Sequence, residues 1–309
     1  MIYYKTNQNW LRDISHLFTS YTMKKVVVGS LLVGAYAFVL AMLHAQFEFL
    51  WHIQLGSGIF SLLGLVLSIL LVFRTNTAYD RWWEGRKHWG ALVNHCRNLA
   101  IAAQTTFPFE DKVSRSRMAI LISNFCLAFK EHLREGTKIE ELISLSPDEK
   151  LLYATKNHVP NFISGQIHQL VEQMHRENLI TPYDHLNFKP HTQALLDILG
   201  ACERIKKTPI PFSYNVYLKI LISAYALILP FALIPEFGFW AVIMVIFVFF
   251  AFIGLELMAE EIEEPFGLDC NDLPTGDISN TISRNVFEIL IPEIDQDTVN
   301  EKVTYEKIF

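Results

Sequence analysis

Two long apolar runs dominate the first quarter of the chain. They cover residues 25–45 and 56–73, and Glu48 is the only Asp, Glu, Lys or Arg between residues 26 and 73. About 20 consecutive apolar residues are enough for a helix to cross the hydrocarbon core of a bilayer, which cannot hydrate a charge. The pattern therefore predicts a hairpin of two transmembrane helices.

A second pair of apolar runs lies nearer the C-terminus. The third run covers residues 220–233, or 212–233 if it begins at Phe212, and the fourth covers residues 239–258. Between them, the sequence I-P-E-F-G from Ile234 is predicted to break the helix. Pro230 predicts a kink or an early end of the third run, because proline cannot donate the helical hydrogen bond. Together these runs predict a second transmembrane hairpin.

Basic residues flank the outer ends of both hairpins. They stand at positions 12, 24 and 25, then at 74, 81, 86 and 87, and finally at 204, 206, 207 and 219. Lys and Arg are enriched in cytoplasmic loops, so both termini and the segment between the hairpins are predicted to be cytoplasmic. The predicted parts are a cytosolic N-terminal segment (1–22), the first hairpin (23–73), a cytosolic helical domain (74–211), the second hairpin (212–258), and an acidic cytosolic segment with the C-terminal tail (259–309).

The segment between the hairpins reads as a bundle of helices. It is polar, carries apolar clusters at helical spacing and shows little of the alternation that is typical of strands. Lone prolines at positions 108, 147, 160, 182 and 190 are predicted to divide it into several helices. The predicted fold class is thus an all-α membrane protein, with four transmembrane helices and a cytosolic helical bundle.

Charge and motif content disfavour several classes of function. The net charge of −6 and the pI near 6.0 argue against nucleic acid as a partner, since phosphate binding needs clustered Lys and Arg. The four cysteines form no C-x-x-C pair, and the chain contains no H-E-x-x-H sequence, P-loop or nucleophile elbow. Ionisable residues are few within the apolar runs, which disfavours an energised pump. An enzyme is not predicted.

Leu65, Ile69 and Phe73 follow one another at four-residue spacing in the second apolar run. Residues four apart share one face of a helix. Several copies of such a helix around an axis would stack rings of apolar side chains, and a narrow apolar ring can gate ion conduction by losing its water. The alternative interpretation is a stripe that faces lipid or a neighbouring helix.

The residues from Glu256 to Asp277 are strongly acidic and include no base. Clustered carboxylate oxygens suit calcium, although the spacing is not that of an EF-hand loop. The alternative is a solvated charged face. The acidic positions are Glu256, Glu260, Glu261, Glu263, Glu264, Asp269, Asp272 and Asp277.

Three motifs, taken in order, resemble the bestrophin family. They are F-R-T-N-T-A-Y-D-R-W-W-E-G-R-K-H-W-G-x-L-V-N from Phe73, A-C-E-R-I-K-K-T-P-I-P-F-S-Y from Ala201, and E-E-P-F-G-L-D-C-N-D-L from Glu263. The resemblance covers essentially the whole chain and is closest to the bacterial and chloroplast branch. It implies a homopentameric ion channel in the bacterial inner membrane, with one axial pore lined by the second transmembrane helix.

The resemblance also implies particular pore residues. Counting back from Arg81-Trp82-Trp83 places the family's hydrophobic neck on Leu65, Ile69 and Phe73, the stripe found by spacing. A second, cytosolic constriction of the family precedes the A-C-E-R-I motif, and it is expected at Leu186, with Ile180 as the other placement.

Metal dependence and ion selectivity are less closely determined by the resemblance. Animal bestrophins bind calcium after an N-P-F-G sequence, but Glu264 replaces that asparagine here, while Asp269 and Asp272 occupy acidic positions. Calcium activation is therefore not expected, and divalent binding stays open. Animal and plant members conduct anions and bacterial members have been associated with monovalent cations. The rival hypotheses are a non-conducting scaffold that binds a cytosolic partner and a membrane enzyme that uses the histidines of the insert.

Overall fold

Helices make up the regular secondary structure of the residues that the structure describes. The computed structural model describes residues 21–47, 57–269 and 271–291, and no strand occurs in these ranges. Most of the N-terminal segment, the turn of the first hairpin, Cys270 and the C-terminal tail lie outside the described residues. The predicted all-α fold class is confirmed for the described part of the chain.

The helices follow one another with short connections. They are α1 (Tyr21–Gln46), α2 (Ser57–Thr106), α3 (Lys112–His132), a 3-10 turn (Ile139–Glu141), α4 (Pro147–Ala154), α5 (Val159–Arg176), α6 (Pro182–Lys207), α7 (Phe212–Phe237), α8 (Trp240–Glu263) and α9 (Thr275–Leu290). Four of them, α1, α2, α7 and α8, are long and apolar enough to cross a membrane, as the sequence predicts. Helix α2 continues without a break from the second apolar run into the polar segment that follows it.

The described residues divide into two compact units. One, here called the membrane unit, comprises residues up to 82 and residues 209–264; the other, here called the polar unit, comprises residues 83–208 and those from 265 onward. The membrane unit thus contains the four apolar segments. Which parts of the chain are cytosolic and which are external stays a prediction.

Close helix contacts hold the membrane unit together. A side-chain Cβ built at Gly34 on α1 would lie 2.5 Å from the side chain of Ile246 on α8, so only glycine fits between these two helices without a shift. Small residues at helix interfaces let backbones approach, which strengthens packing where hydrophobic burial gives no advantage over lipid. The buried cluster of α1, α2, α7 and α8 consists of Ala37, Phe60, Leu229, Ala232 and Val245.

The polar unit has its own apolar core. Trp89 of α2 stacks on Phe129 of α3, with ring centroids 5.1 Å apart and planes 3° from parallel. The apolar clusters noted in the sequence supply many of the buried side chains, including Met118, Ile122, Ile163, Leu195 and Leu199. Asn124 ties the loop after α3 to this core, because its side chain both donates to the Ile143 carbonyl and accepts from the Ile143 amide.

Of the five prolines predicted to divide the polar segment, Pro190 alone lies well inside a helix. Pro147 and Pro182 begin α4 and α6, and Pro160 is near the start of α5, where a missing N–H costs nothing. The expectation that Pro190 separates two helices is wrong, since α6 runs through it. Residue 190 is exposed, so water can reach the carbonyl that loses its helical partner.

The third apolar run also tolerates its prolines. Helix α7 continues through Pro230 and Pro235 and ends at Phe237. Pro230 therefore does not end the helix early, and the break falls at the end of the predicted I-P-E-F-G turn. Gly238 follows with φ of +54°, a backbone conformation that residues with a Cβ rarely adopt.

Candidate functional site

Helix α2 has two different faces within the membrane unit. Phe60, Leu67 and Leu71 are buried along one face, against α7 and the other helices of the unit. The predicted neck residues lie roughly half a turn around the helix from that face. In the single chain, Leu65 is 57% exposed, Ile69 48% and Phe73 61%. The structure thus brings these three side chains onto one face that no other part of the described chain covers.

Two tyrosines of α7 fix how α2 is rotated. The hydroxyl of Tyr225 donates to the Phe60 carbonyl at 3.2 Å, and the hydroxyl of Tyr214 donates to the Leu70 carbonyl at the same distance. Gly64 makes the Tyr225 contact possible, because a Cβ there would lie 2.9 Å from the hydroxyl oxygen. These bonds hold the packed face of α2 against α7 and so hold the opposite face outward.

We expect Gly64→Ala to conflict with the Tyr225 hydroxyl. Alanine gains about 1 kcal/mol of helix propensity over glycine, so the stability of the single variant alone is not diagnostic. In a Tyr225→Phe background the clash is absent, and Gly64→Ala should be more favourable there by about 0.5–1 kcal/mol. Unfolding of the four proteins in detergent measures this coupling, and equal effects of Gly64→Ala in both backgrounds would contradict the close contact.

Arg74, which directly follows the last predicted neck residue, is fully buried. Its Nη2 donates to Oε2 of Glu263 at 2.7 Å, and its Nε lies 3.6 Å from Oε2 of Glu256. Glu263 also accepts from the Ile210 amide at 2.8 Å, and its carbonyl accepts from Arg81 at 3.1 Å. The end of α8 is thereby joined to α2 and to the chain before α7, all within the membrane unit.

The acidic residues on α8 lie beside basic and polar side chains of this chain. Besides the Arg74 contacts, Glu260 pairs with Lys219 at 2.9 Å, and Glu261 accepts from the Thr22 hydroxyl at 2.7 Å. Lys219 and Thr22 lie far from the run in sequence, so the sequence showed no base to compensate it. The interpretation as a merely solvated face is therefore incomplete.

The residues proposed for a calcium clasp are placed as follows. Glu264 is the residue that follows α8. Asp272 is buried, and its Oδ2 accepts from the Asp269 amide at 2.6 Å, which closes a tight turn between the two. Divalent binding by Glu264, Asp269 and Asp272 stays a prediction.

The two placements of the cytosolic constriction differ in exposure. Leu186 lies in the second turn of α6 and is 53% exposed, whereas Ile180 precedes α6 and is only 5% exposed. A side chain that is buried in its own polar unit cannot line a pore without rearrangement. Of the two placements, Leu186 is the one that has a free surface.

The family model of the bacterial and fungal bestrophin proteins matches residues 1–288. The chain belongs to this bestrophin family. It is 38% identical over 231 residues to a protein of Nostoc sp. strain PCC 7120 named voltage-dependent anion channel-forming protein, with 73% of this chain and 75% of that protein covered. The YneE protein of Escherichia coli O157:H7 is also named a voltage-dependent anion channel-forming protein. It is 30% identical over 290 residues, with 92% of this chain and 93% of that protein covered.

A solved structure supports the same assignment. A variant of a bacterial bestrophin homologue from Klebsiella pneumoniae superposes with a TM-score of 0.81 at 26% identity, over 86% of this chain and 99% of that one. The resemblance stated from the three motifs is confirmed. This bestrophin is a multi-pass membrane protein of a channel-forming family, which agrees with the prediction that it is not an enzyme.

The sequence did not show which acidic residues hold helix α2. Arg74 was noted as a flanking base and Glu256 and Glu263 as members of an acidic run. A signal was present, since a carboxylate at position 256 interrupts an otherwise apolar segment, and an ionisable residue there needs a partner. The partner is Arg74, which lies 189 positions from Glu263 and so beyond any local pattern.

Proposed function

We propose that this bestrophin forms a homopentameric channel in the bacterial inner membrane that conducts small monovalent anions passively. The observation that carries the proposal is the face of α2 formed by Leu65, Ile69 and Phe73, which is apolar, exposed in the single chain and opposite the packed face. Five copies turned toward one axis would cover this face and form an apolar neck. Both termini are proposed to be cytoplasmic.

The neck would act through water rather than through fixed charge. Its three levels are separated by one helical turn each, so three apolar rings would stack along about 12 Å of pore. A narrow apolar constriction conducts only when it is wet, and its width sets the free energy of wetting. Such a neck controls flux and offers neither sign of ion a charged partner.

A second constriction is proposed at Leu186 in the polar unit. It is the exposed member of the two placements given by the family resemblance. Being aliphatic, it would again restrict size and wetting rather than select charge. Ile180 is assigned to the packing of the polar unit instead.

The sign of the permeant ion is proposed from the relatives. Those with 30% identity or more are named anion channel-forming proteins. A monovalent cation is the second candidate, because Asp80 is exposed on α2 two turns beyond Phe73 and near the same face. A ring of carboxylates at a pore mouth attracts cations and repels anions.

The test is the reversal potential of the purified protein in planar bilayers under a potassium chloride gradient. We expect a reversal near the chloride equilibrium potential, unchanged when sodium replaces potassium and shifted when a large impermeant anion replaces chloride. A reversal near the potassium potential would reject the anion assignment and retain the channel. The variant Asp80→Asn should then move the reversal potential toward that of chloride. Asp148→Asn, in the polar unit, is the control, because it also removes one negative charge from the chain.

A silent protein would reject the channel itself. The preparation must first be shown to be a folded pentamer by light scattering on the eluting complex. Folded pentamers without conductance at any voltage would favour the scaffold that binds a cytosolic partner.

A further inference from the structure

Three side chains from separate helices converge in the polar unit. His132 is the last residue of α3, His158 immediately precedes α5, and Glu203 lies on α6. Oε1 of Glu203 is 2.6 Å from Nε2 of His132 and 2.8 Å from Nε2 of His158. In the part of the chain that the structure describes, no other three His, Cys, Asp or Glu residues bring potential ligand atoms within 4.8 Å of one another.

The helices hold each of these groups in place. The ring of His158 caps α5, because its Nδ1 accepts from the Asn161 amide at 3.3 Å. The His132 backbone is held at the end of α3, where its carbonyl accepts from Lys206 at 3.5 Å. The planes of the two imidazole rings are tilted by 33° to each other, with centroids 4.3 Å apart. The cluster is therefore built by three elements of the fold and not by a local loop.

The donor types suit a cation. Glu203 offers a carboxylate oxygen between two imidazole nitrogens, and the three potential ligand atoms lie within 4.8 Å of one another. Metal ions bind neutral imidazole and ionised carboxylate, so binding releases any proton that these ligand atoms carry.

We propose that His132, His158 and Glu203 bind one divalent transition-metal ion of the zinc type in each subunit, with water as the fourth ligand. Two histidine nitrogens and one carboxylate oxygen are an established donor set for zinc. Zinc bonds of about 2.0–2.1 Å place tetrahedral ligand atoms about 3.3 Å apart, so the present contacts need to open by about 0.5–0.7 Å. Calcium and magnesium prefer oxygen ligands alone and fit this set poorly.

Neighbouring groups permit such an ion at a modest cost. Lys207 pairs with Oε2 of Glu203 at 3.4 Å, whereas the histidines contact Oε1 of the same carboxylate. The Lys207 side chain is exposed, so it can turn away into solvent when an ion binds. Binding through Nε2 places the ring proton of His158 on Nδ1, which ends the long hydrogen bond from the Asn161 amide. The side chains of all three ligands are only partly buried, which leaves a route for the ion and for water.

Another histidine pair of the polar unit supplies a matched control. His175 and His185 stack with centroids 4.7 Å apart and planes 18° from parallel, and His185 lies 3.2 Å from Glu172. Among the described residues, only His132, His158 and Glu203 bring three potential ligand atoms within 4.8 Å of one another, so His175, His185 and Glu172 do not. His185→Asn therefore removes a histidine that pairs with a glutamate in the same unit, but it leaves the proposed site intact.

The experiment measures zinc affinity on the full chain in detergent, purified without a histidine tag, by competition with a chromophoric chelator. We expect one ion per subunit in the wild type. Glu203→Gln and His158→Asn should each weaken zinc binding at least about 100-fold, because losing only an outer hydrogen-bond partner of a metal ligand already weakens binding by up to about that factor. His185→Asn should leave the zinc affinity unchanged. Each variant is accepted only if its elution volume and helical circular dichroism match the wild type.

Several outcomes would overturn the proposal. They are no tight binding by the wild type, wild-type affinity in folded Glu203→Gln and His158→Asn, or a loss of binding in His185→Asn. Should the ligand variants fail to fold, the visible spectrum of the wild type loaded with Co²⁺ decides. Intense bands of a four-coordinate site support the proposal, and the weak bands of a six-coordinate ion reject it.

Discussion

Replacing the three proposed neck residues with alanine is expected to raise single-channel conductance. The variant Leu65→Ala/Ile69→Ala/Phe73→Ala removes the large side chains from one exposed face of α2, and in a pentamer it would remove three rings at once. A wider and less apolar constriction wets more easily. We expect about a tenfold increase, which requires a barrier lower by only ~1.4 kcal/mol, with Ile69→Ala alone giving a smaller rise.

Single-channel recording is the measurement to use because it does not depend on how much protein inserts. Leu63→Ala is the matched control, since Leu63 lies on the same helix with 46% of its surface exposed, close to the value for Ile69, but about a third of a turn away. Its conductance should equal that of the wild type. If the triple variant inserts normally and conducts no differently from the wild type, the neck assignment fails.

The shared face of Leu65, Ile69 and Phe73 and the helix that carries it could be predicted because both depend on local spacing; their role as a neck stays a proposal. Four-residue spacing places Leu65, Ile69 and Phe73 on one face of any α-helix. The apolar length of the segment predicted a membrane span, and the structure adds that the same helix continues to Thr106. What spacing could not decide is which face of α2 packs inside the chain, since both faces of this segment are apolar.

That choice depends on contacts between distant parts of the chain. The hydroxyls of Tyr214 and Tyr225 reach α2 backbone carbonyls 144 and 165 positions away. The proposed metal site is of the same kind, because Glu203 lies 71 positions from His132 and 45 from His158. In both arrangements the interacting residues are far apart in the sequence, so a search for short sequence motifs finds neither of them.

Local rules also failed at two prolines inside helices. Proline at positions 147 and 182 began helices, as expected, but Pro190 did not interrupt α6 and Pro230 did not interrupt α7. The cost of an interior proline depends on whether the carbonyl that loses its partner finds another. The sequence shows which helical hydrogen bond a proline removes, but it does not show which group replaces that bond.

The buried ion pair of Arg74 connects the rotation of helix α2 to the stability of the membrane unit. Arg74 follows Phe73 directly, so an arginine held by Glu263 on one face determines where the adjacent phenylalanine points. Glu256 adds a second carboxylate, but at 3.6 Å it is a weaker partner. Among the described residues its oxygens accept no hydrogen bond, whereas Glu263 accepts from both Arg74 and the Ile210 amide. Glu263 is therefore the main anchor.

Breaking this pair is expected to destabilise the protein by about 3–5 kcal/mol, because removal of one partner leaves a buried charge uncompensated. Arg74→Gln and Glu263→Gln each test this, by unfolding in mixed micelles with rising SDS content. Lys219→Gln is the control: it breaks the pair between Lys219 of α7 and Glu260 of α8, whose side chains are 45% and 49% exposed. It should cost no more than about 1 kcal/mol.

The double variant Arg74→Gln/Glu263→Gln separates a true pair from two independent defects. Without either charge, the remaining amides can still hydrogen-bond, so its loss of stability should be clearly smaller than the sum of the two single losses. Glu256→Gln should cost less than Glu263→Gln, since Glu256 lies farther from the guanidinium. Additive losses in the double variant, or an effect of Lys219→Gln as large as that of Arg74→Gln, would show that the buried pair does not anchor α2.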